Sequence, residues 1–138
     1  MLAEPTDPPR PDIATRADIA KLVVTFYGRA FQDELLGPVF VDVAKLDLDE
    51  HLPTMCDFWE TVLLGARSYG GGAFVPHAHL HAQVPLTRQH FERWLAIWTH
   101  TVHDLHHGPV ADEAIDRAQR VASAFHGRLW RGLEGPGS

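Results

Sequence analysis

Apolar side chains recur at helical spacing along most of the sequence, and this periodicity is the strongest constraint on the fold. Thr15 and Asp18 can cap a first helix at its N-terminus, and Gly37-Pro38 closes it. The apolar positions of this segment fall at the i, i+3, i+4 and i+7 intervals of one helix face: Ile19, Leu22, Val23, Phe26, Tyr27, Ala30 and Phe31. The segment is therefore predicted to be an amphipathic helix.

A second segment repeats the same spacing after a polar stretch. Its apolar positions are Met55, Phe58, Trp59, Val62 and Leu63, and Gly65 follows as a C-terminal stop. Proline is tolerated in the first turn of a helix, so we expect Pro53 to lie there. His51 is then at or just before the start of the second helix.

Two further helices are predicted in the C-terminal half. Thr87 is a suitable N-cap for the first of them, and Gly108-Pro109 precedes the second. Their apolar residues again follow helical spacing: Phe91, Trp94, Leu95, Trp98 and Val102, then Ile115, Ala118, Val121, Ala122, Phe125 and Leu129. No convincing set of alternating strands is present, so the pattern predicts one all-α domain. We expect residues 1–11 and 132–138 to be flexible flanks of a domain over 12–131.

Histidines alternate at His77, His79 and His81, in a segment whose pattern fits a short helix or a short strand. In a strand all three imidazoles would share one side, as in some zinc sites. In a helix, alternate residues point about 200° apart, and we expect only one histidine to face the interior. The six histidines of the last two helices and their flanks are expected on a solvated face: His90, His100, His103, His106, His107 and His126.

Composition excludes several classes of function. The net charge is −6, and no cluster of Lys and Arg resembles the basic stripe that nucleic acids require. No apolar run is long enough to span a membrane, and the first residues lack the apolar core of a secretory signal. We therefore expect a cytoplasmic protein with neither nucleic-acid nor membrane partners. Cys56 is the single cysteine, expected as a small buried hydrophobe.

Seven short motifs, in order and with compatible gaps, resemble the group III truncated haemoglobins. They are Phe26-Tyr27, Leu36-Gly37-Pro38-Val39-Phe40, His51, Phe58-Trp59 with Leu63-Leu64-Gly65, Tyr69-x-Gly71, His77-x-x-Leu80, and Phe91-x-x-Trp94-Leu95. The resemblance covers roughly residues 12 to 131. It implies a truncated globin fold, a two-over-two helical sandwich around haem b.

The resemblance also implies the roles of particular residues. His77 matches the family's proximal ligand of the haem iron, and Tyr27, His51 and Trp94 match the residues around the bound gas. Phe40 matches the aromatic residue on the haem edge, and Phe58 is expected in the same pocket. The Tyr27 hydroxyl and the Trp94 indole N–H are donors, so they should favour O2 over CO and slow its release. An alternative for His51, given Pro53, is that it swings toward solvent as a gate.

The function expected from the resemblance is the binding of O2, CO or NO at a five-coordinate iron. NO dioxygenation or peroxidase-like chemistry would require a separate reductase, since no nicotinamide or flavin motif is present. One rival hypothesis is a non-haem zinc or iron protein that uses His77, His79 and His81. Another is a helical interaction module without a cofactor, in which Tyr27 and Trp94 belong simply to the core.

Overall fold

The computed structural model describes residues 10–43, 47–67, 69–71, 74–83 and 85–134, without the side chains of 42–43, 74–76, 79 and 131–134. These residues form five α-helices and one π-helical segment, with no strand among them. The helices are α1 (Arg16–Gln32), α2 (Leu48–Leu64), α3 (Phe74–Gln83), α4 (Arg88–Leu105) and α5 (Pro109–Glu134), and the π-helical segment is Val39–Val43. Most of the two predicted flanks, at 1–9 and 135–138, lies outside the described residues.

The helices pack as two pairs, which confirms the all-α, two-over-two prediction. Helix α1 packs on α2 and α4 packs on α5, while contacts of α1 with α4 and of α2 with α5 join the pairs. Trp98 lies fully buried where the pairs meet, and its indole N–H donates to the Ala114 carbonyl over 3.1 Å. Cys56 is buried in the same core, as expected. No described helix combines the length and apolar character needed to cross a membrane.

Three predicted helix ends are confirmed. Thr15 and Asp18 form a reciprocal capping box at the start of α1. Thr87 caps α4, and its N3 partner is His90, whose ring completes a second capping box. Gly65 ends α2 in the left-handed conformation, with a φ of 76°, which favours glycine because a Cβ would clash there.

Two helix boundaries differ from the prediction. Helix α1 ends at Gln32 because Asp33 leaves the helix and its carboxylate accepts the N–H groups of Leu35 and Leu36. Helix α2 begins earlier than expected, since Asp47 caps it and accepts the Glu50 N–H. Pro53 therefore lies inside α2, beyond its first turn. The acidic residues at this N-terminus interact favourably with the helix dipole. This stabilisation helps to offset the loss of the backbone hydrogen bond that a proline cannot donate.

The N-terminal segment at 10–14 is hydrogen-bonded to the end of α4 and the start of α5. Gly108 precedes α5 and has no side chain that could cap this helix. The Asp12 carboxylate caps it instead, by accepting the N–H groups of Val110 and Ala111. A Cβ on Gly108 would lie 2.6 Å from the Asp12 carboxyl carbon. The Pro11 carbonyl accepts from the His107 N–H and lies 3.0 Å from His106 Nδ1.

His106 was expected on a solvated face, and the structure shows this to be wrong. Its side chain is only 4% exposed because residues 10–14 cover it. The helix pattern could not reveal this, since the covering segment lies almost a hundred positions away in sequence. His100, His103 and His107 are exposed as expected.

Replacing Asp12 with alanine is expected to lower the free energy of unfolding by about 1 to 2 kcal/mol, the usual cost of a lost helix cap. Partial burial raises the pKa of Asp12, but hydrogen bonds from Val110, Ala111 and Ile13 outweigh it, so the pKa lies below its ordinary value. The carboxylate therefore stabilises the fold above its unfolded-state pKa, and this stabilisation is lost as the pH falls through the folded-state pKa.

Urea unfolding of the wild type and Asp12→Ala at pH 7 and at acid pH measures both effects. The exposed Asp116, which pairs with Arg120 on α5, provides the control substitution Asp116→Ala, expected to change stability little. A deficit of Asp12→Ala that stayed constant down to acid pH would contradict the capping role.

Candidate functional site

Tyr27 lies at the centre of a cluster of aromatic rings formed by α1, the π-helical segment and α2. Its ring centroid lies 5.8 Å from Phe40 and 6.2 Å from His51, both in edge-to-face contact. The side chain is 7% exposed. The structure thus brings together three of the residues predicted for the site, although they come from three separate segments of the chain.

The Tyr27 hydroxyl has unused hydrogen-bonding capacity. Burial raises the pKa of this phenol well above its ordinary value, so it stays protonated at neutral pH. Although Tyr27 is buried, its hydroxyl makes no hydrogen bond to any described residue. A hydroxyl that makes no hydrogen bond within the protein is satisfied by water or by a ligand.

His51 is half-buried and turned toward Tyr27 in this structure. Burial lowers the pKa of its imidazole, and the electrostatic influence of His77 lowers it further. The imidazole is therefore neutral at pH 7 and offers one donor and one acceptor. Pro53 does not turn it outward, because the helix begins upstream of His51 and holds it on the inner side of α2.

Trp94 joins this cluster through Phe26. The Phe26 ring lies 5.2 Å from Tyr27 and 5.9 Å from Trp94, so one side chain of α1 contacts both. The indole N–H groups of Trp98 and Trp130 donate to backbone carbonyls. In contrast, the N–H of the half-buried Trp94 has no acceptor among the described residues. It is a second donor available to a ligand.

Phe58 packs against aromatic rings other than Tyr27. Its ring contacts Trp59 at 5.1 Å and Tyr69 at 5.2 Å. Trp59 in turn stacks on Trp98 at 4.4 Å, and Trp98 is parallel to Trp94 at 6.2 Å. Phe58 is thus connected to Trp94 through two intervening indoles, and the contacts around it are those of a core residue.

His77 lies on α3, half-buried, with its ring 5.0 Å from Phe125 of α5. After burial, His77 is the second cause of the lowered pKa of His51. The two imidazoles therefore come from different elements yet lie within electrostatic range of each other.

The expectation that only one histidine of α3 faces the interior is wrong. His81 is 5% exposed, and it lies one helical turn after His77 on the same face. Its Nδ1 accepts the Leu86 N–H over 2.8 Å. The neutral ring then carries its proton on Nε2, so the lone pair that iron would need at Nε2 is absent. This hydrogen bond favours His77 over His81 as the iron ligand.

The helical backbone of α3 does not support the zinc alternative. Positions 77 and 79 lie about 200° apart around a helix, so the three histidine positions do not converge on one ion. Among the described side chains, no group of three or more His, Cys, Asp or Glu could hold a metal ion. The side chain of His79 lies outside those residues.

The arrangement of helices and aromatic cluster agrees with a family match. The family model described as bacterial-like globin matches residues 12–127. The chain belongs to the bacterial-like globin family. It is accordingly a haem-binding globin, and globins in general bind small gaseous ligands.

Two known proteins indicate which group of globins this chain resembles. A curated protein named group 3 truncated hemoglobin ctb, from Campylobacter jejuni, is 29% identical over 116 residues, which cover 82% of this chain and 89% of the relative. The crystal structure of a group III truncated hemoglobin from Campylobacter jejuni superposes with a TM-score of 0.77 at 28% identity, covering 87% of this chain and 94% of the other. The resemblance to group III truncated haemoglobins is therefore confirmed.

Sequence reasoning missed three residues that the structure places beside the predicted site of this globin. Phe26 was treated as core, yet it bridges Tyr27 and Trp94. Phe125 was also treated as core, and it contacts His77. His81 was named only as a ligand in the zinc or iron alternative, and its burial beside His77 was missed, although an i, i+4 spacing from His77 was a signal that both share one face.

Proposed function

We propose that this protein binds haem b with His77 as its iron ligand and holds O2, CO or NO on the opposite side, beside Tyr27, His51 and Trp94. The observation that carries the proposal is the buried Tyr27 phenol, which stays protonated and makes no hydrogen bond to a described residue. Family membership explains the globin scaffold, but this unused donor is what indicates a polar diatomic ligand at this place.

The residues present fit haem by the chemistry of their side chains. Haem is a flat apolar disc that needs aromatic and aliphatic walls, one imidazole ligand and a few polar groups on the other face. The chain supplies the Phe40 ring, which contacts Tyr27, and the imidazole of His77, which contacts Phe125. When bound, haem supplies a ferrous iron with an open coordination position.

Two hydrogen-bond donors, Tyr27 and Trp94, determine how a bound gas is held. The Tyr27 hydroxyl and the Trp94 N–H both donate, and in a poorly solvated pocket a donor favours a ligand that carries partial negative charge. O2 gains such charge on binding, whereas CO remains nearly neutral. Tight retention of O2 relative to CO follows, together with slow release of O2.

The proposal also includes two redox activities, NO dioxygenation and peroxidase-like chemistry. Slow release of O2 favours its reaction with NO over its delivery, and hydrogen-bond donors can polarise the O–O bond of a peroxide. Either activity requires electrons from a separate reductase. We place the protein in the cytoplasm, as one globin domain over residues 12–131.

Absorption spectra of the purified protein test the proposal. We expect a Soret band that shifts on reduction with dithionite and shifts again with O2 and with CO. A colourless protein that stays featureless after haem is added, and that contains stoichiometric zinc, would refute haem binding. A folded protein whose stability does not rise on addition of haem would favour a module without a cofactor.

A further inference from the structure

The short helix that carries His77 has few means of holding its position. Helix α3 has ten residues, below the length at which an isolated helix is stable in water. Gly70 and Gly71 precede it, and Gly71 has a positive φ of 95°. Its main packing partner is α5. Specific contacts at its ends must therefore fix α3 on α5.

Three residues connect the C-terminal end of α3 to α5 through the linker before α4. His81 Nδ1 accepts the Leu86 N–H over 2.8 Å, and the Leu86 carbonyl accepts the Trp130 indole N–H over 3.0 Å. The His81 and Trp130 rings close the circuit in edge-to-face contact at 5.0 Å. Leu86 is buried, and these two hydrogen bonds satisfy both its backbone N–H and its backbone carbonyl.

A second ring contact between α3 and α5 lies next to the contact of His81 with Trp130. His77 contacts Phe125, and His81, one turn later on α3, contacts Trp130, which is five residues later on α5. The face of α3 that bears both histidines therefore lies along α5. Displacing His81 would shift the whole of this short face, and His77 with it.

The ring nitrogen opposite Nδ1 has no hydrogen-bond acceptor among the described residues. Nε2 of His81 is fully buried, and the neutral ring carries its proton there. The edge-to-face contact with Trp130 is a geometry in which a ring N–H or C–H meets an aromatic face, a weak but favourable interaction. Histidine thus serves here as an acceptor toward the linker and an aromatic partner toward α5.

We propose that His81, Leu86 and Trp130 form a clamp that fixes α3 on α5 and so keeps His77 in position for the haem iron. This role rests on the proposed function. His81 is a positioning residue in it, with no contact to iron. The chain offers a matched control, because His90 Nδ1 also accepts a backbone N–H of the same linker, that of Thr87, over 3.0 Å. His90 belongs to α4 and does not hold α3.

The test compares His81→Leu, His81→Asn and His90→Leu with the wild type, using the full chain as purified. Leucine removes the acceptor, whereas the asparagine oxygen can replace Nδ1. Hydrogen exchange of the amides of 74–83 reports on α3, and transfer of haem to an excess of haem-free myoglobin reports on its retention. We expect both rates to rise about tenfold in His81→Leu, to return close to wild type in His81→Asn, and to stay unchanged in His90→Leu.

Resonance Raman spectra of the ferrous form provide a readout that general loss of stability would not change. The iron–histidine stretching band should broaden or shift in His81→Leu but not in His90→Leu. If His81→Leu does not fold, Trp130→Phe removes the indole N–H while keeping a smaller aromatic ring, and we expect a smaller rise in both rates, about threefold.

Distinct results overturn the clamp and the proposed function. Unchanged rates in His81→Leu, equal effects in His90→Leu, or failure of asparagine to restore the rates would refute the clamp while haem binding stands. A wild-type chain that takes up no haem would refute the proposed function, and with it the role of the clamp toward iron. Hydrogen exchange would still show whether His81 holds α3.

Discussion

The variant His77→Gly is expected to lose the Soret band of the purified protein. If His77 is the iron ligand, as proposed, its removal leaves iron without a protein ligand, and the side chain of His81 cannot replace it while Nδ1 accepts the Leu86 N–H. Removing a residue that merely supports a metal ligand commonly weakens metal binding by 10- to 100-fold, so loss of the ligand itself should exceed about a hundredfold. Haem titration followed by absorption measures this directly.

Added imidazole should restore the spectrum of His77→Gly, because it fills the space that the side chain vacates. His79→Gly introduces the same helix-weakening residue two positions along α3 and should retain haem. Retention of a normal spectrum by His77→Gly, or its loss only in His79→Gly, would show that the ligand has been assigned to the wrong histidine.

Replacing Tyr27 with phenylalanine should raise the rate of O2 dissociation by about 10- to 100-fold. A hydrogen bond to a charged partner contributes about 1.5 to 3 kcal/mol, and 1.4 kcal/mol corresponds to a factor of ten. The ring contacts with Phe40 and His51 persist in the variant, since only the hydroxyl is removed. Stopped-flow replacement of O2 by CO gives the rate.

CO dissociation should change little in Tyr27→Phe, because CO attracts a donor only weakly. The control is Tyr69→Phe, which removes the hydroxyl of the chain's other tyrosine, located beside Phe58. Trp94→Phe should also accelerate O2 release, by a smaller factor, since the Trp94 N–H is the second available donor. Equal rates in Tyr27→Phe and the wild type would exclude the phenol as the group that holds O2.

Helical periodicity was sufficient to predict the four long helices and most of their caps. Thr15, Thr87 and Gly65 were identified correctly because capping is local: each residue acts on backbone groups within five positions of itself. The start of α2 was misplaced because Pro53 was given more weight than Asp47. The short segment around His77 could not be assigned from its pattern, and tertiary contact with α5 decides that it is a helix.

The residues of the candidate site could be named from the sequence only through a family resemblance. Nothing in the spacing of Tyr27, Phe40 and His51 indicates that their rings meet, since they belong to three segments. Their contact depends on how α1, the π-helical segment and α2 pack. Likewise, the burial of His106 depends on a hydrogen-bonded segment from the other end of the chain.

The sequence by itself determined the helical class, most of the helix ends and the chemical types of the side chains available to bind a ligand, because these depend on side-chain type and on neighbours within a few positions. Only the tertiary structure decided which donors remain unpaired and which histidine can offer a lone pair. Those properties depend on partners distant in sequence. Leu86, held by Trp130 of α5, fixes the proton of His81 on Nε2, and so favours His77 as the ligand.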